Sequence, residues 1–350
     1  MKIGVVLPNW VGDVVMATPT LRALGSRYPR AHIVGIARPH LLPLLEGSPW
    51  LSSRLAWEHR GRGWVGRTWG LVRTLRRERL DAMLILRNSG FAAGVSRLSG
   101  IRERIGYARR GSRLFLTTCL APPRSAGKFT AISAVDYYLR LARELDCDTS
   151  DRRLELASTP EDEAAADAIW ENLSLPDPRQ TVLLNIGGAY GRAKHWPREH
   201  CVELSRRLAS DLGLAVVILC GPEERAAAHD LAAAARHPRV TSLAGQDVRF
   251  GPTKAVLRRA RLLVTTDSGP RHMAAALGTP TITLFGPIDP AWSENYQSGA
   301  VQLHLPLECS PCGRRACPLG HHHCMRDLTP EIVLRSVEQV LERHQMVKAA

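Results

Sequence analysis

No stretch of this 350-residue chain stays apolar long enough to cross a bilayer as a helix; the longest runs, such as residues 214–220, are strand-sized. No low-complexity tract interrupts it. The first residues pass from Met1-Lys2 into a short apolar segment closed by Pro8, without the apolar core and small-residue cleavage site of an export signal. These absences predict a cytoplasmic globular protein. Its eight cysteines then read as reduced thiols or metal ligands, since disulfide frameworks belong to exported chains. Walker spacing and the GxGxxG fingerprint are both missing, which disfavours P-loop NTPases and the standard dinucleotide fold. Lysine is missing between Arg60 and Arg124, where fifteen arginines face three acids (Glu78, Asp81, Glu103), a local balance of +12 in a chain of net charge +14. That bias predicts an anionic partner: nucleic acid, an anionic lipid surface or a phosphorylated substrate. No aromatic-interleaved basic motif or recognised nucleic-acid module accompanies it, so no specific nucleic-acid partner is expected.

What is present is alternation, the signature of parallel α/β layers. Residues 2–7, 32–36 and 82–86 read as strands, and 13–27, 64–77 and 131–145 as helices. The pattern breaks near 150–160, and Leu175-Pro176-Asp177-Pro178 marks a linker or turn. A second series follows, with strands at 181–186, 214–220, 240–243, 261–265 and 280–285, and helices at 197–210, 223–235, 253–259 and 271–277. Thr329-Pro330 opens a last helix over 330–344. The chain is long enough for two full cores, so the expectation is two α/β halves. Ligands of open α/β sheets bind at the carboxyl ends of strands. Two such sheets facing each other would place the site in the cleft between them, one substrate on each half.

Four loops carry the chemistry. Thr266-Asp267-Ser268-Gly269-Pro270-Arg271-His272 joins a strand to a strong helix former, where backbone N–H groups and the helix dipole favour an anion such as a nucleotide diphosphate. Asn185-Ile186-Gly187-Gly188-Ala189, followed by Gly191-Arg192-Ala193-Lys194-His195-Trp196-Pro197, offers glycines for close approach to phosphate and a positive charge at Lys194. Glu223 and Glu224 end the intervening strand, where an acid either bonds ribose hydroxyls or complements the helix dipole. In the first half, Pro8-Asn9-Trp10-Val11-Gly12-Asp13 sets Asp13 at a helix start, as an N-cap or as a general base for an acceptor hydroxyl.

With these blocks in order along nearly the whole chain, the sequence resembles the ADP-heptose:lipopolysaccharide heptosyltransferases, glycosyltransferase family 9. The most specific match is Thr266 to Leu277 with Leu284-Phe285-Gly286-Pro287-Ile288-Asp289-Pro290, and Trp10-Val11-Gly12-Asp13 favours the second heptosyltransferases over the first. The resemblance implies a GT-B fold: two facing Rossmann-like domains, 1–170 for the acceptor and 176–328 for the nucleotide sugar, with a helix over 329–350 returning to the N-terminal domain. It implies Asp13 as the base and Lys194 as the phosphate-contacting cation. Gly187, Gly188, Glu223, Glu224, Asp267, Ser268, Gly269 and His272 join Lys194 at the donor, and Asn9, Trp10, Arg109 and Arg110 meet the acceptor. The implied reaction is inverting transfer of heptose from ADP-L-glycero-D-manno-heptose to a heptose on the phosphorylated lipid A core, at the inner face of the inner membrane. A relative using another nucleotide sugar, or a non-catalytic sugar-nucleotide or lipid-surface binder of the same fold, is the alternative.

No cofactor is required on this reading, because fixed positive groups can meet the departing diphosphate. Arg102, Arg104, Arg109, Arg110 and Arg113 are expected to face a phosphorylated core and an anionic leaflet. Cys309, Cys312, Cys317 and Cys324 have the crowding of a structural zinc site, with a reduced Cys-rich loop or a disulfide or redox role as alternatives. The remaining cysteines, 119, 147, 201 and 220, read as core fillers.

Overall fold

The structure, a computed structural model, describes every residue except 59–61, 110, 126, 186, 189 and 350, and every side chain except theirs and those of 125, 128 and 344–349. The chain forms two compact units, Met1–Ala157 with Ala291–Tyr296, and Ser158–Pro290 with Gln297–Ala350.

The first unit is built on a six-stranded parallel sheet of β1 (Lys2–Val6), β2 (His32–Ala37), β3 (Ser53–Ala56), β4 (Ala82–Ile85), β5 (Glu103–Tyr107) and β6 (Thr118–Leu120). Their spatial order is β3-β2-β1-β4-β5-β6. A short antiparallel pair, β7 (Arg124–Ser125) and β8 (Lys128–Phe129), follows. The second unit repeats the plan with β9 (Thr181–Asn185), β10 (Ala215–Ile218), β11 (Val240–Ser242), β12 (Leu262–Thr266), β13 (Thr281–Phe285) and β14 (Val301–His304). These run β11-β10-β9-β12-β13-β14, again six parallel strands. Each order reverses between its first and fourth strands, β1/β4 and β9/β12, the switch point where the loops part and a crevice opens.

Helices of the first unit are α1 (Val11–Met16), α2 (Thr18–Arg27), α3 (Trp64–Glu78), α4 (Gly90–Leu98) and α5 (Ala134–Arg143). Those of the second are α6 (Pro160–Asn172), α7 (Arg198–Ser210), α8 (Arg225–Ala235), α9 (Phe250–Arg259), α10 (Gly269–Ala276), α11 (His323–Arg326) and α12 (Pro330–Ala349). Helices covering a parallel sheet on both faces require central strands that are apolar throughout. That is why Ala82–Ile85 of β4 and Leu262-Leu263-Val264 of β12 are buried without interruption. In the first unit, Val6, Val34, Ile36, Met83 and Ile85 from the sheet close on Leu71, Val72 and Leu75 of α3 and Ala92, Ala93 and Val95 of α4.

The expected single helix over 13–27 is two, parted at Ala17. Pro19 has no N–H to give the Val15 carbonyl, and the Thr18 hydroxyl takes that acceptor at 2.7 Å instead. The domain division falls at Ala157/Ser158, ahead of the expected 170, because α6 lies against α9 of the second unit. Its start is a capping box in which Thr159 accepts from the Asp162 N–H and Asp162 returns the bond. The expectation that α12 returns to the N-terminal domain meets a different grouping: α12 belongs with the second unit, packed on α7 and tied to it by Arg207–Glu331 at 2.6 Å.

Candidate active site

In the second unit, the turns after β9 and β12 meet at the switch point. Asn185, the last residue of β9, donates to the Ser268 hydroxyl at 2.9 Å and to Thr265 at 3.1 Å, and Thr266 donates to the Gly187 carbonyl at 2.8 Å. A Cβ at Gly187 would run into the Glu224 carboxylate as it stands, so the Gly187 backbone and that carboxylate are in close contact. Glu224 also accepts from the Gly221 N–H at 2.9 Å, closing the short turn Pro222–Glu224, and both Glu223 and Glu224 are exposed.

Ser268 stands at the N-cap of α10 with extended backbone, yet its side chain does not cap the helix. Its hydroxyl instead accepts from Asn185 and donates to the Thr266 carbonyl at 3.2 Å. Gly269 and Pro270 open α10, and Pro270 has no N–H to leave unpaired. The first N–H groups of α10 therefore carry the helix dipole's positive end without a side-chain acceptor of their own. This geometry favours an anion.

Charge is concentrated beneath that turn. Lys194 Nζ donates to the Asp267 carboxylate at 2.6 Å and to the Asp267 carbonyl at 2.9 Å. Arg271, only 1 % exposed, reaches the same carboxylate at 3.2 Å and lies over the Phe285 ring. Burial alone would raise the Asp267 carboxyl, but Lys194, then Arg271 and His272, more than offset it and hold it below its ordinary value. His272 is pushed down to about 3 by its burial and then by Arg271, so the ring stays neutral at neutral pH. Two fixed cations against one carboxylate leave an excess positive charge beside the α10 terminus.

The Lys194 turn is held from behind by the cysteine-bearing loop. Ala193 N–H donates to the Arg315 carbonyl at 3.0 Å, Tyr190 Oη to the Gly313 carbonyl at 2.7 Å, and His322 Nε2 lies 2.8 Å from the Ala193 carbonyl. Gly191 has φ +154°, and a Cβ there would lie 2.5 Å from the Arg315 carbonyl oxygen. Cys309, Cys312 and Cys317 stand near enough to add to the effect of burial in pushing the Cys324 thiol up to about 11. Among the described residues, however, no group of three or more His, Cys, Asp or Glu side chains is gathered as a metal set. All eight cysteines are free, and Cys119, expected in the core, is exposed on edge strand β6, whereas Cys147, Cys201 and Cys220 are buried.

In the first unit, the turns after β1 and β4 line a cavity of about 520 Å³ bounded by Asn9, Trp10, Asp13, Arg87, Asn88 and Arg109, among others. Asp13 is not a helix cap. Trp10 occupies that position, without a side-chain cap bond, and Asp13 lies inside the first turn of α1. Its charge adds to burial in raising the Tyr138 hydroxyl, which also lines the cavity. Arg109 lies 4.2 Å from the Phe129 ring centre, and Tyr137 donates to Asn88 at 2.8 Å. Arg110 lies outside the described residues. Arg104, expected to face an anionic ligand, is turned inward: it bonds the carbonyls of Phe115 at 2.6 Å and Arg102 at 3.0 Å, and that of Ile101. Arg87, Asn88 and Tyr138 were not among the expected residues. Their signal was positional, since 86–89 leave β4 at the same edge where 8–13 leave β1.

The model of glycosyltransferase family 9 (heptosyltransferase) matches residues 68–323. The chain belongs to glycosyltransferase family 9. It is 28 % identical over 351 residues to lipopolysaccharide heptosyltransferase 2 of Escherichia coli K12, covering 97 % of this chain and 99 % of that protein. The solved structure of E. coli ADP-heptose lps heptosyltransferase II superimposes with a TM-score of 0.80 at 26 % identity, over 99 % of this chain and 100 % of that one. A family 9 glycosyltransferase from Veillonella parvula gives 0.84 at 22 % identity, covering 98 % of this chain and 97 % of that chain, a likeness of fold. As a family 9 member the chain is a glycosyltransferase, and its paired parallel sheets of Rossmann order are those of the GT-B class.

Proposed function

We propose that this glycosyltransferase moves heptose from ADP-L-glycero-D-manno-heptose to a heptose of the phosphorylated lipid A core, with inversion, at the cytoplasmic face of the inner membrane. The observation that carries the donor half is the uncapped start of α10 beside Lys194 and Arg271. As the bond from the anomeric carbon to the diphosphate breaks, negative charge grows on ADP, and preorganised N–H groups and cations lower the cost of that charge. Gly187 and Gly188 admit the diphosphate, Asp267, Ser268 and His272 shape the turn beneath it, and Glu224, with its carboxylate beside Gly187, takes the ribose. Asp13 accepts the proton of the acceptor hydroxyl as its oxygen bonds the anomeric carbon. Asn9, Trp10 and Arg109 hold the acceptor in the cavity that Asp13 lines. The reading asks for no cofactor, and the cysteine-bearing loop acts as a buttress of the Lys194 turn.

Calorimetric titration of the purified chain with ADP, UDP, GDP and NAD tests this. A clear preference for ADP is expected, reduced in Glu224→Ala and retained in Glu223→Ala. A preference for UDP or GDP would keep the phosphate site and discard heptose as the sugar.

A further inference from the structure

The exposed apolar side chains of the first unit are not scattered. Trp64 (40 % exposed), Val65 (50 %) and Trp69 (48 %) lie on the first turns of α3, and Phe91 (40 %) stands beside them, its ring 5.7 Å from that of Trp64 in an edge-to-face pair. The helix already has a core face, because Thr68, Leu71, Val72 and Leu75 are buried against the sheet. Val65, Trp69, Arg73 and Arg77 follow one another at four-residue spacing and all are exposed, a stripe that changes from apolar to basic along the helix. Arg76 beside them is bonded to the Leu98 carbonyl at 2.8 Å, whereas Arg73 and Arg77 have no ion pair among the described residues. Single apolar residues on a surface need no explanation, but adjacent tryptophan and valine continued by unpaired arginines do.

We propose that this stripe of α3 docks the enzyme on the anionic surface of a phospholipid bilayer. Val65 and Trp69 enter the headgroup layer, where tryptophan's amphipathic ring is favoured, and Arg73 and Arg77 pair with lipid phosphates. Position supports the assignment. Trp64 and Phe91 both line the Asp13 cavity and are 40 % exposed beside Val65, so the cavity and the docking face share these two side chains. A lipid-anchored acceptor would reach Asp13 with its acyl chains still in the membrane. That use of the surface rests on the acceptor assigned above, whereas the docking itself does not.

The test is co-sedimentation of the full chain with vesicles of phosphatidylethanolamine and phosphatidylglycerol, against vesicles of phosphatidylcholine alone. The wild type is expected to bind the anionic vesicles preferentially. Val65→Ser/Trp69→Ser and, separately, Arg73→Gln/Arg77→Gln should each weaken that binding about tenfold, and the second pair should also flatten its salt dependence. Both variants should keep the wild-type melting temperature and wild-type turnover of a deacylated, water-soluble core acceptor. Variants that bind vesicles like the wild type, or a wild type indifferent to lipid charge, would overturn the proposal. Failure of the heptose assignment would appear separately, as absent turnover in the wild type with vesicle binding intact.

Discussion

The same two turns, after the first and fourth strands, build opposite environments in the two units. In the second unit the β12 turn is closed on itself: Asp267 is buried between Lys194 and Arg271, and the Ser268 hydroxyl is held by Asn185 and Thr266. In the first unit the corresponding β4 turn opens onto the 520 Å³ cavity, and Ser89 caps α4 conventionally by accepting from the Ala92 N–H at 3.2 Å. One serine is withdrawn from its helix and the other fills it. A helix whose end is filled by its own side chain has less to offer an anion, so the two turns suit different ligands despite identical strand order. The second unit has a closed, charged turn, the seat proposed for the donor's diphosphate. The first has a roomier pocket with polar, aromatic and guanidinium walls, proposed for the acceptor.

The sharpest way to break this division of labour is Asp13→Asn. If the first unit supplies the base and the second holds the donor, turnover should fall about 10²–10⁴-fold while ADP affinity stays at the wild-type value. Steady-state kinetics with calorimetry on the same preparation separates the two. Turnover near the wild type would remove Asp13 as the base, and weakened ADP binding would deny the separation.

How much of this was legible beforehand follows from physical range. The central strands and the glycine-bearing turns after β9 and β12 were readable because burial on both faces and a strand-to-helix turn impose local composition. Short strands such as β3 and β5 were not, since a half-exposed Ser-Arg-Leu-Ala or a run with Glu103 and Arg104 lacks a clear apolar signal. Helix α6 is rich in alanine and acid with little facial segregation, yet its Thr159-Pro160-Glu161-Asp162 start was a signal that went unused. At the candidate site, residue types pointed to Lys194 and Asp267 separately; that they pair at 2.6 Å across 73 positions is tertiary. That the Glu224 carboxylate lies beside Gly187 is likewise a matter of side-chain direction that spacing alone does not carry.

A smaller effect is expected from Lys194→Ala, which probes the finished seat. A charge-assisted bond to phosphate is worth about 1.5–3 kcal/mol, so ADP affinity should drop about ten- to a hundredfold, with a further loss in turnover as charge develops. The variant should also melt at lower temperature, because Asp267 keeps Arg271 but loses its closest cation. Unchanged ADP affinity would show that Lys194 serves only to hold Asp267, and the comparison between the turns would then rest on the helix terminus alone.

The finest test sets the two serines against each other. Ser89→Ala removes a working N-cap and should cost about 1 kcal/mol of stability while leaving ADP affinity unchanged. Ser268→Ala removes no cap, because its hydroxyl never bonds the α10 N–H groups, but it strips Asn185 of one acceptor. Asn185 keeps Thr265 at 3.1 Å, so the stability loss should be no larger than that of Ser89→Ala. Its signature should appear in ADP binding instead, since the turn that shapes the α10 entrance loses the bond fixing it to β9. Denaturant unfolding of both variants, with an ADP titration of each, reads the two quantities independently. Equal ADP affinities with a larger stability loss in Ser268→Ala would mean that the hydroxyl is a packing element and that both helices are ordinary in their capping. A drop in ADP affinity confined to Ser268→Ala would show that withdrawing one hydroxyl from its helix is what makes the second turn a phosphate seat.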